Sequence, residues 1–334
     1  MYSLYENKEC CFLNRYSYSQ KLLHKIALSS SLLREIFFDL EKLLFLKKDL
    51  KVDDKYVFVS GMARSGTTIL LNSIYETDEF ASLTYQDMPF ILSPNIWSKL
   101  NQNTSAITKQ ERAHNDGIKI DAFSPEAFEE IFWKTYSNDE FDTKNDFTDF
   151  IHLLCSKYQK KRYLSKNNQN IKRIDYLIKH FPHSKIIIPF REPLQHAYSL
   201  FNQHKKFSSF QKKDDFIRKY MSLIGHSEFG LDYVPQFEND LKYPDFDNIN
   251  HWLEQWYLTY NMLSNFMNVT QVLFVCYEEL CKNNSIYKSV LSFIEVNLIH
   301  DFEFKLSFKK INHDYDNGLY NKCIKLYNNL KIQI

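Results

Sequence analysis

The stretch YVFVSGMARSGTTILLNSIY, residues 56–75, decides how this chain is read. It begins with a short β-favouring apolar run, turns through Gly61 and Gly66, and continues as TTILLNSIY (67–75). A short apolar run bounded by charge and Gly reads as a buried strand, and the apolar segment after the turn reads as a helix. A strand, a Gly-containing turn and a helix start together make an anion cradle. The first amides of a helix have no partner inside it, and they point at whatever sits in front of them.

The mononucleotide pattern G-x-x-x-x-G-K-[ST] is the natural comparison. Gly61 and Gly66 keep its spacing and Thr68 takes the hydroxyl position, but Thr67 stands where the lysine belongs. Gly66 still lets a ligand approach the backbone closely. The electrostatics differ. A nucleoside triphosphate with Mg²⁺ calls for that lysine on its outer phosphates. A phosphosulfate carries one negative charge fewer at its end and needs no bridging metal. Arg64, at the crown of the loop, can grip its 5′-phosphate bidentately. The competing reading is a degenerate nucleotide loop.

A second stretch supports the phosphosulfate reading. In KIIIPFREPLQHAYSLFNQH (185–204), a strand KIIIPF (185–190) ends in Arg191-Glu192-Pro193. Pro193 suits the first position of a helix. Ser199 then lies about 9 Å along that helix, at 1.5 Å per residue. A phosphate over the helix start can take Arg191 and the Ser199 hydroxyl together.

With both stretches in hand, the chain resembles the sulfotransferases that use 3′-phosphoadenosine-5′-phosphosulfate (PAPS). GMARSGTT is similar to their PRSGTT loop, and FREP-x5-S to their strand-Arg-Asp-Pro motif with its Ser; Glu192 replaces the Asp. The resemblance covers roughly 55–300. It implies an α/β fold, a three-layer sandwich with a central parallel sheet of four to five strands. It implies that Gly61, Arg64, Ser65, Gly66, Thr67 and Thr68 hold the 5′-phosphosulfate, and that Arg191 and Ser199 hold the 3′-phosphate. It also places Lys166, in RYLSKNNQN, at the bridging oxygen or sulfuryl group, although Asn168 stands where relatives often have Pro. In the tyrosylprotein branch the general base is a carboxylate some twenty residues after the loop Arg, which points to Asp87 in TYQDMPF. The implied reaction is in-line sulfuryl transfer from PAPS to an acceptor hydroxyl on a glycan, small molecule or protein, with no metal. A nucleotide kinase or NTPase, and a silent nucleotide-binding protein, are the alternatives.

Further acceptor-site candidates lie in 114–130: His114, Asp116, Asp121, Glu126, Glu129 and Glu130. The reading starts a helix at Ser124-Pro125-Glu126, which would put Glu126, Glu129 and Glu130 on one face. Such a face is either an acceptor site or a solvated surface. His196 and His204 flank the second motif and are candidates as well.

The remaining composition bounds the answer. Lys and Arg number 42 against 41 Asp and Glu, which argues against a nucleic-acid or membrane-surface binder. The six cysteines, Cys10, Cys11, Cys155, Cys276, Cys281 and Cys323, include no C-x-x-C pair. With no secretory signal and no apolar run of about 18 residues, the reading is an intracellular, cytoplasmic protein. The chain reads as one domain, 1–334, with 1–50 as a helical extension. Its SSSLLREIFFDLEKLLFLKKDL (29–50) is an amphipathic helix docked on the core.

Overall fold

Side chains along the short strands alternate between two apolar layers, and this sets the architecture. The computed structural model describes residues 17–47, 51–101, 110–111, 119–136, 140–297 and 301–333. The strands are β1 (Val57–Val59), β2 (Phe80–Ala81), β3 (Gln110–Glu111), β4 (Lys119–Ile120), β5 (Arg162–Lys166), β6 (Lys185–Phe190) and β7 (Val272–Cys276). Five of them form a parallel sheet in the order β2-β5-β1-β6-β7, while β3 and β4 pair antiparallel on their own. This is the central parallel sheet expected from the sequence. β1 and β6 are the strands read in the two motif stretches. The two-residue β2 is too short to show a period, and β5 holds Arg162, Ser165 and Lys166, so its text is not apolar although every residue is buried.

The helices are α1 (Tyr18–Ser29), α2 (Ser31–Phe45), α3 (Thr67–Tyr75), α4 (Pro94–Leu100), α5 (Glu130–Tyr136), α6 (Glu140–Tyr158) and α7 (Ile174–His180), then α8 (Pro193–Lys213), α9 (Asp215–Leu223), α10 (Ile249–Leu263), α11 (Tyr277–Lys282), α12 (Asn284–Phe293) and α13 (Asn317–Leu330). Val57, Val59, Leu164, Ile187 and Val275 pack on one side of the sheet, against Leu70, Leu71 and Ile74 of α3 and Val290 and Leu291 of α12. Phe58, Tyr163, Ile186, Ile188 and Phe274 face the other way, against α5, α6, α8 and α10. Successive residues of a strand point to opposite faces, so two apolar layers flank the sheet and give three layers in all.

The N-terminal helices join the second layer. Ser17 and Ser30 cap α1 and α2 through their side chains. Phe38 of α2 packs in the same core as Phe58. Glu41 is fully buried and accepts from the amides of Asn95 (2.8 Å) and Ile96 (2.9 Å), which caps α4. Among the described residues no helix is long and apolar enough to cross a membrane.

One expected helix start is displaced. The segment at Ser124-Pro125-Glu126 is not helical, and α5 begins at Glu130. Ser124 Oγ accepts from the Asp121 amide at 2.9 Å, Pro125 forms a bridge with Thr84, and the Glu126 amide donates to Leu83 O at 3.0 Å. The segment therefore lies extended along residues 83–84, and Glu126 is separated from the face of α5.

Candidate active site

The loop after β1 leaves the carboxyl end of the sheet, where open α/β sheets place their ligands. Ser60 extends the ladder by donating to Ile187 O at 2.9 Å, and Asn167 does the same to Val59 O at 3.2 Å. These bonds set the loop after β1 beside Lys166, the last residue of β5. Gly66 has φ 105° and is the N-cap of α3, with no side-chain cap. A Cβ there would fall 2.5 Å from the Tyr277 ring, so this position needs Gly for its backbone angle and for space.

Arg64 also has a positive φ, 69°. A left-handed backbone is uncommon outside Gly and calls for a surrounding structure that fixes it. Here the second motif does so. Arg191 Nη1 donates to Arg64 O at 3.1 Å, and Arg64 Nε donates to Ser199 Oγ at 3.3 Å. The two stretches singled out in the sequence thus meet in space. The buried Arg191 Nε makes no hydrogen bond, and the nearest carboxylate oxygen, Glu278 Oε1, is 3.9 Å away. A buried guanidinium N–H without an acceptor is costly, and a bound anion would satisfy it.

These residues line one end of a cavity of about 680 Å³, the size of a small-molecule site. Thr67, Thr68, Gln195 and Tyr277 line it too, as do Lys305, Ser307 and Lys309. The segment carrying the lysines is stitched in place. Gln195 Nε2 donates to Lys309 O at 2.9 Å, and Tyr277 OH donates to Lys305 O at 3.1 Å. The sequence reading missed these lysines. Their alternation with Ser307, two residues apart and downstream of the last strand, was the available signal.

The same cavity holds Lys166, which is 6% exposed, and Glu126, 7% exposed. Lys166 Nζ donates to Glu126 Oε1 at 3.0 Å, and Tyr85 OH donates to Glu126 Oε2 at 3.0 Å. Asn168 follows, bonded to Glu228 Oε1 at 3.0 Å.

Asp87 is elsewhere. It is 0% exposed and does not line the cavity. Its Oδ2 accepts from the Thr84 amide (2.8 Å) and Tyr158 OH (2.7 Å), and its Oδ1 pairs with Lys157 Nζ. It closes a capping box and anchors α6, so its carboxylate has no lone pair turned to an acceptor. Glu130 is likewise withdrawn, taking a bidentate grip from Arg173 (2.7 Å to each oxygen) and a bond from Asn167 Nδ2 at 2.9 Å. Glu129 accepts from Trp133 Nε1, Tyr163 OH and Asn170 Nδ2, each at 2.9 Å. Neither a solvated face nor a three-carboxylate acceptor face exists here. Glu126 alone of the three reaches the cavity.

The two flanking histidines are structural as well. His196 is 0% exposed and its Nε2 lies 2.8 Å from Ala63 O, which fixes the tautomer with the proton on Nε2. Burial pushes its pKa down to about 3, and the positive charges of Arg191 and Arg64 add to the effect. It supports the loop from beneath as a neutral donor. His204 packs among Tyr233, Phe246 and Trp252. His114 and Asp116 lie outside the described residues.

Residues 57–299 match the model of the sulfotransferase family. The chain belongs to the sulfotransferase family, and the enzyme moves a sulfuryl group to an acceptor. Among solved structures, it is similar to sulfotransferase STF1 of Mycobacterium tuberculosis H37Rv, with 12% identity, 92% of this chain and 84% of that one covered, and a TM-score of 0.46. STF9 of Mycobacterium avium gives 13% identity, 92% and 76% coverage, and a TM-score of 0.45. Mouse SULT7A1, solved in complex with PAP, gives 14% identity, 83% and 65% coverage, and a TM-score of 0.33. No curated protein matches.

Proposed function

We propose that this sulfotransferase takes its sulfuryl group from PAPS and that its acceptor is a small-molecule alcohol or phenol. The observation that carries the donor assignment is the junction of Arg64, Arg191 and Ser199 beside an uncapped helix start. Three cationic or hydroxyl groups and a set of opening amides meet at one end of the cavity, and the buried Arg191 Nε lacks an acceptor. A nucleotide bearing a phosphate at each end matches this arrangement. The amides of 66–68, with Ser65, Thr67 and Thr68, would hold the 5′-phosphosulfate. Arg191 and Ser199, with Lys305 and Lys309, would hold the 3′-phosphate. Arg64 spans the two groups.

The residues then divide the chemical step. Glu126, and not Asp87, takes the proton of the acceptor hydroxyl as its oxygen bonds to sulfur. Lys166 neutralises the charge that builds on the bridging oxygen as the bond from sulfur to the 5′-phosphate breaks, leaving adenosine 3′,5′-bisphosphate. The 3.0 Å contact between Lys166 and Glu126 holds both side chains in the cavity before the acceptor arrives. The cavity walls hold both partners in line, so positioning supplies much of the rate.

Calorimetry tests the donor assignment. Adenosine 3′,5′-bisphosphate should bind at micromolar concentration or better without added metal, and ATP–Mg²⁺ should bind at least tenfold more weakly. Preference for ATP–Mg²⁺ would overturn the assignment.

A further inference from the structure

Part of the cavity wall is apolar. Phe128, Phe207, Tyr220, Met221, Ile224 and Phe229 line it, all of them shielded from bulk solvent. Phe207 and Phe229 stack with their planes 12° apart and centroids 6.2 Å apart, and Phe128 meets the Tyr85 ring edge-on at 5.3 Å. A wall of this kind takes up the body of a ring or alkyl chain.

Besides Glu126, which is paired with Lys166, Glu228 lines the cavity here. Glu228 lies on the turn 225–231, between Gly225 (φ 80°) and Gly230 (φ 93°). The turn is pinned from several sides. His226 Nε2 lies 3.1 Å from Ala127 O, the Val234 amide donates to Ser227 O at 2.9 Å, and the Leu231 amide donates to Gln211 Oε1 at 2.5 Å. The φ of 93° at Gly230 is one that L side chains rarely adopt, so the turn favours Gly there. Glu228 is thereby held in place.

Asn168 fixes one of its oxygens and connects it to the donor loop. Its amide nitrogen donates to Glu228 Oε1 at 3.0 Å, and its amide oxygen accepts from Thr67 Oγ1 at 3.5 Å. A Pro at this position could do neither. Of the cations lining this cavity, Lys166 is paired with Glu126, and Lys119 on β4 is solvent-exposed. An acidic group held in an apolar wall repels an anion and favours a donor of hydrogen bonds, most of all a cationic one.

Resting on the sulfotransferase reading of the same cavity, we infer that the acceptor is an apolar-bodied alcohol or phenol with a second hydrogen-bond donor, an ammonium or hydroxyl, which Glu228 receives. A carboxylate-bearing or sulfated acceptor is disfavoured. Four phenols of matched shape serve as probes: tyramine, tyrosol, 4-ethylphenol and 4-hydroxyphenylacetate. Their binding is measured by calorimetry on the enzyme saturated with adenosine 3′,5′-bisphosphate, which has no sulfuryl group to transfer.

Affinity should fall in that order. Tyramine should bind about tenfold tighter than 4-ethylphenol, the size of one charge-assisted hydrogen bond, and 4-hydroxyphenylacetate should be weakest. Glu228→Gln should shrink the tyramine to 4-ethylphenol ratio about tenfold. Retained bisphosphate binding by this variant shows that it is folded. A flat series, no probe binding, the carboxylate binding best, or an unchanged ratio in the variant would each overturn the inference while the donor assignment stands. Failure of the wild-type enzyme to bind the bisphosphate would overturn both.

Discussion

At the donor end of the cavity, the main groups come from two short runs of sequence, 60–68 and 191–199. At the acceptor end they come from scattered places: Tyr85, Glu126 with Phe128, Lys166 with Asn168, and the stretch from Tyr220 to Phe229. On the proposed function, the donor end would read a nearly constant ligand by backbone amides and fixed cations, and such chemistry requires particular residues at particular spacings. The acceptor end is a wall whose chemistry emerges only when separate segments pack together. This difference predicts that donor-end substitutions alter nucleotide binding, whereas acceptor-end substitutions alter turnover or acceptor choice.

The largest effect should come from Lys166→Ala. Loss of a fixed cation at the leaving oxygen should lower kcat about 10³-fold, while adenosine 3′,5′-bisphosphate binds within about threefold of wild type. An equal loss in nucleotide affinity would break the division between the two ends. Arg191→Ala should weaken the bisphosphate about 10²-fold, the worth of a bidentate charged contact. Adenosine 5′-monophosphate, titrated in parallel, should lose far less. Equal losses would remove Arg191 from the 3′-phosphate.

Asp87→Asn should have a small kinetic effect, with kcat within about threefold, because this carboxylate does not face the cavity. Urea unfolding should instead show a loss of about 3 kcal/mol, since Lys157 is left buried without its partner. A kcat reduced 10²-fold or more would return the base to Asp87.

The smallest effect concerns pH. His196 is neutral when folded, with its pKa lowered from 6.5 to about 3 by burial, whereas the unfolded chain protonates near the usual value. A depressed folded pKa contributes stability that is full above the unfolded pKa and is lost as pH falls from 6.5 toward 3. His196→Gln should therefore show a smaller drop in urea midpoint between pH 7 and pH 4.5 than wild type. An identical drop would show that His196 is not buried as described.

The two motifs that meet at Arg64 were legible because each is local. Gly61, Gly66 and Thr68 sit within eight residues, and the distance from Arg191 to Ser199 is set by a single helix. The sheet was legible where strands are apolar, as in KIIIPF, and hidden in RYLSK, whose polar residues are buried although only Lys166 reaches the cavity. Spacing from Arg64 pointed to Asp87, but spacing says nothing of where a side chain points. Asp87 and Glu126 lie 39 residues apart, and both come near Tyr85 and Thr84, yet one caps a turn and the other faces the cavity. Three glutamates, 126, 129 and 130, look equivalent in the text. Only the extended run beside residues 83–84 separates Glu126 from the other two, and that pairing is long-range.

The division of the cavity is tested most directly by Glu126→Gln, with nucleotide binding and turnover measured on the same preparation. The bisphosphate should bind within about threefold of wild type, while kcat with PAPS falls about 10²-fold or more, the usual worth of a general base. Unchanged turnover, or nucleotide affinity falling along with it, would contradict the account.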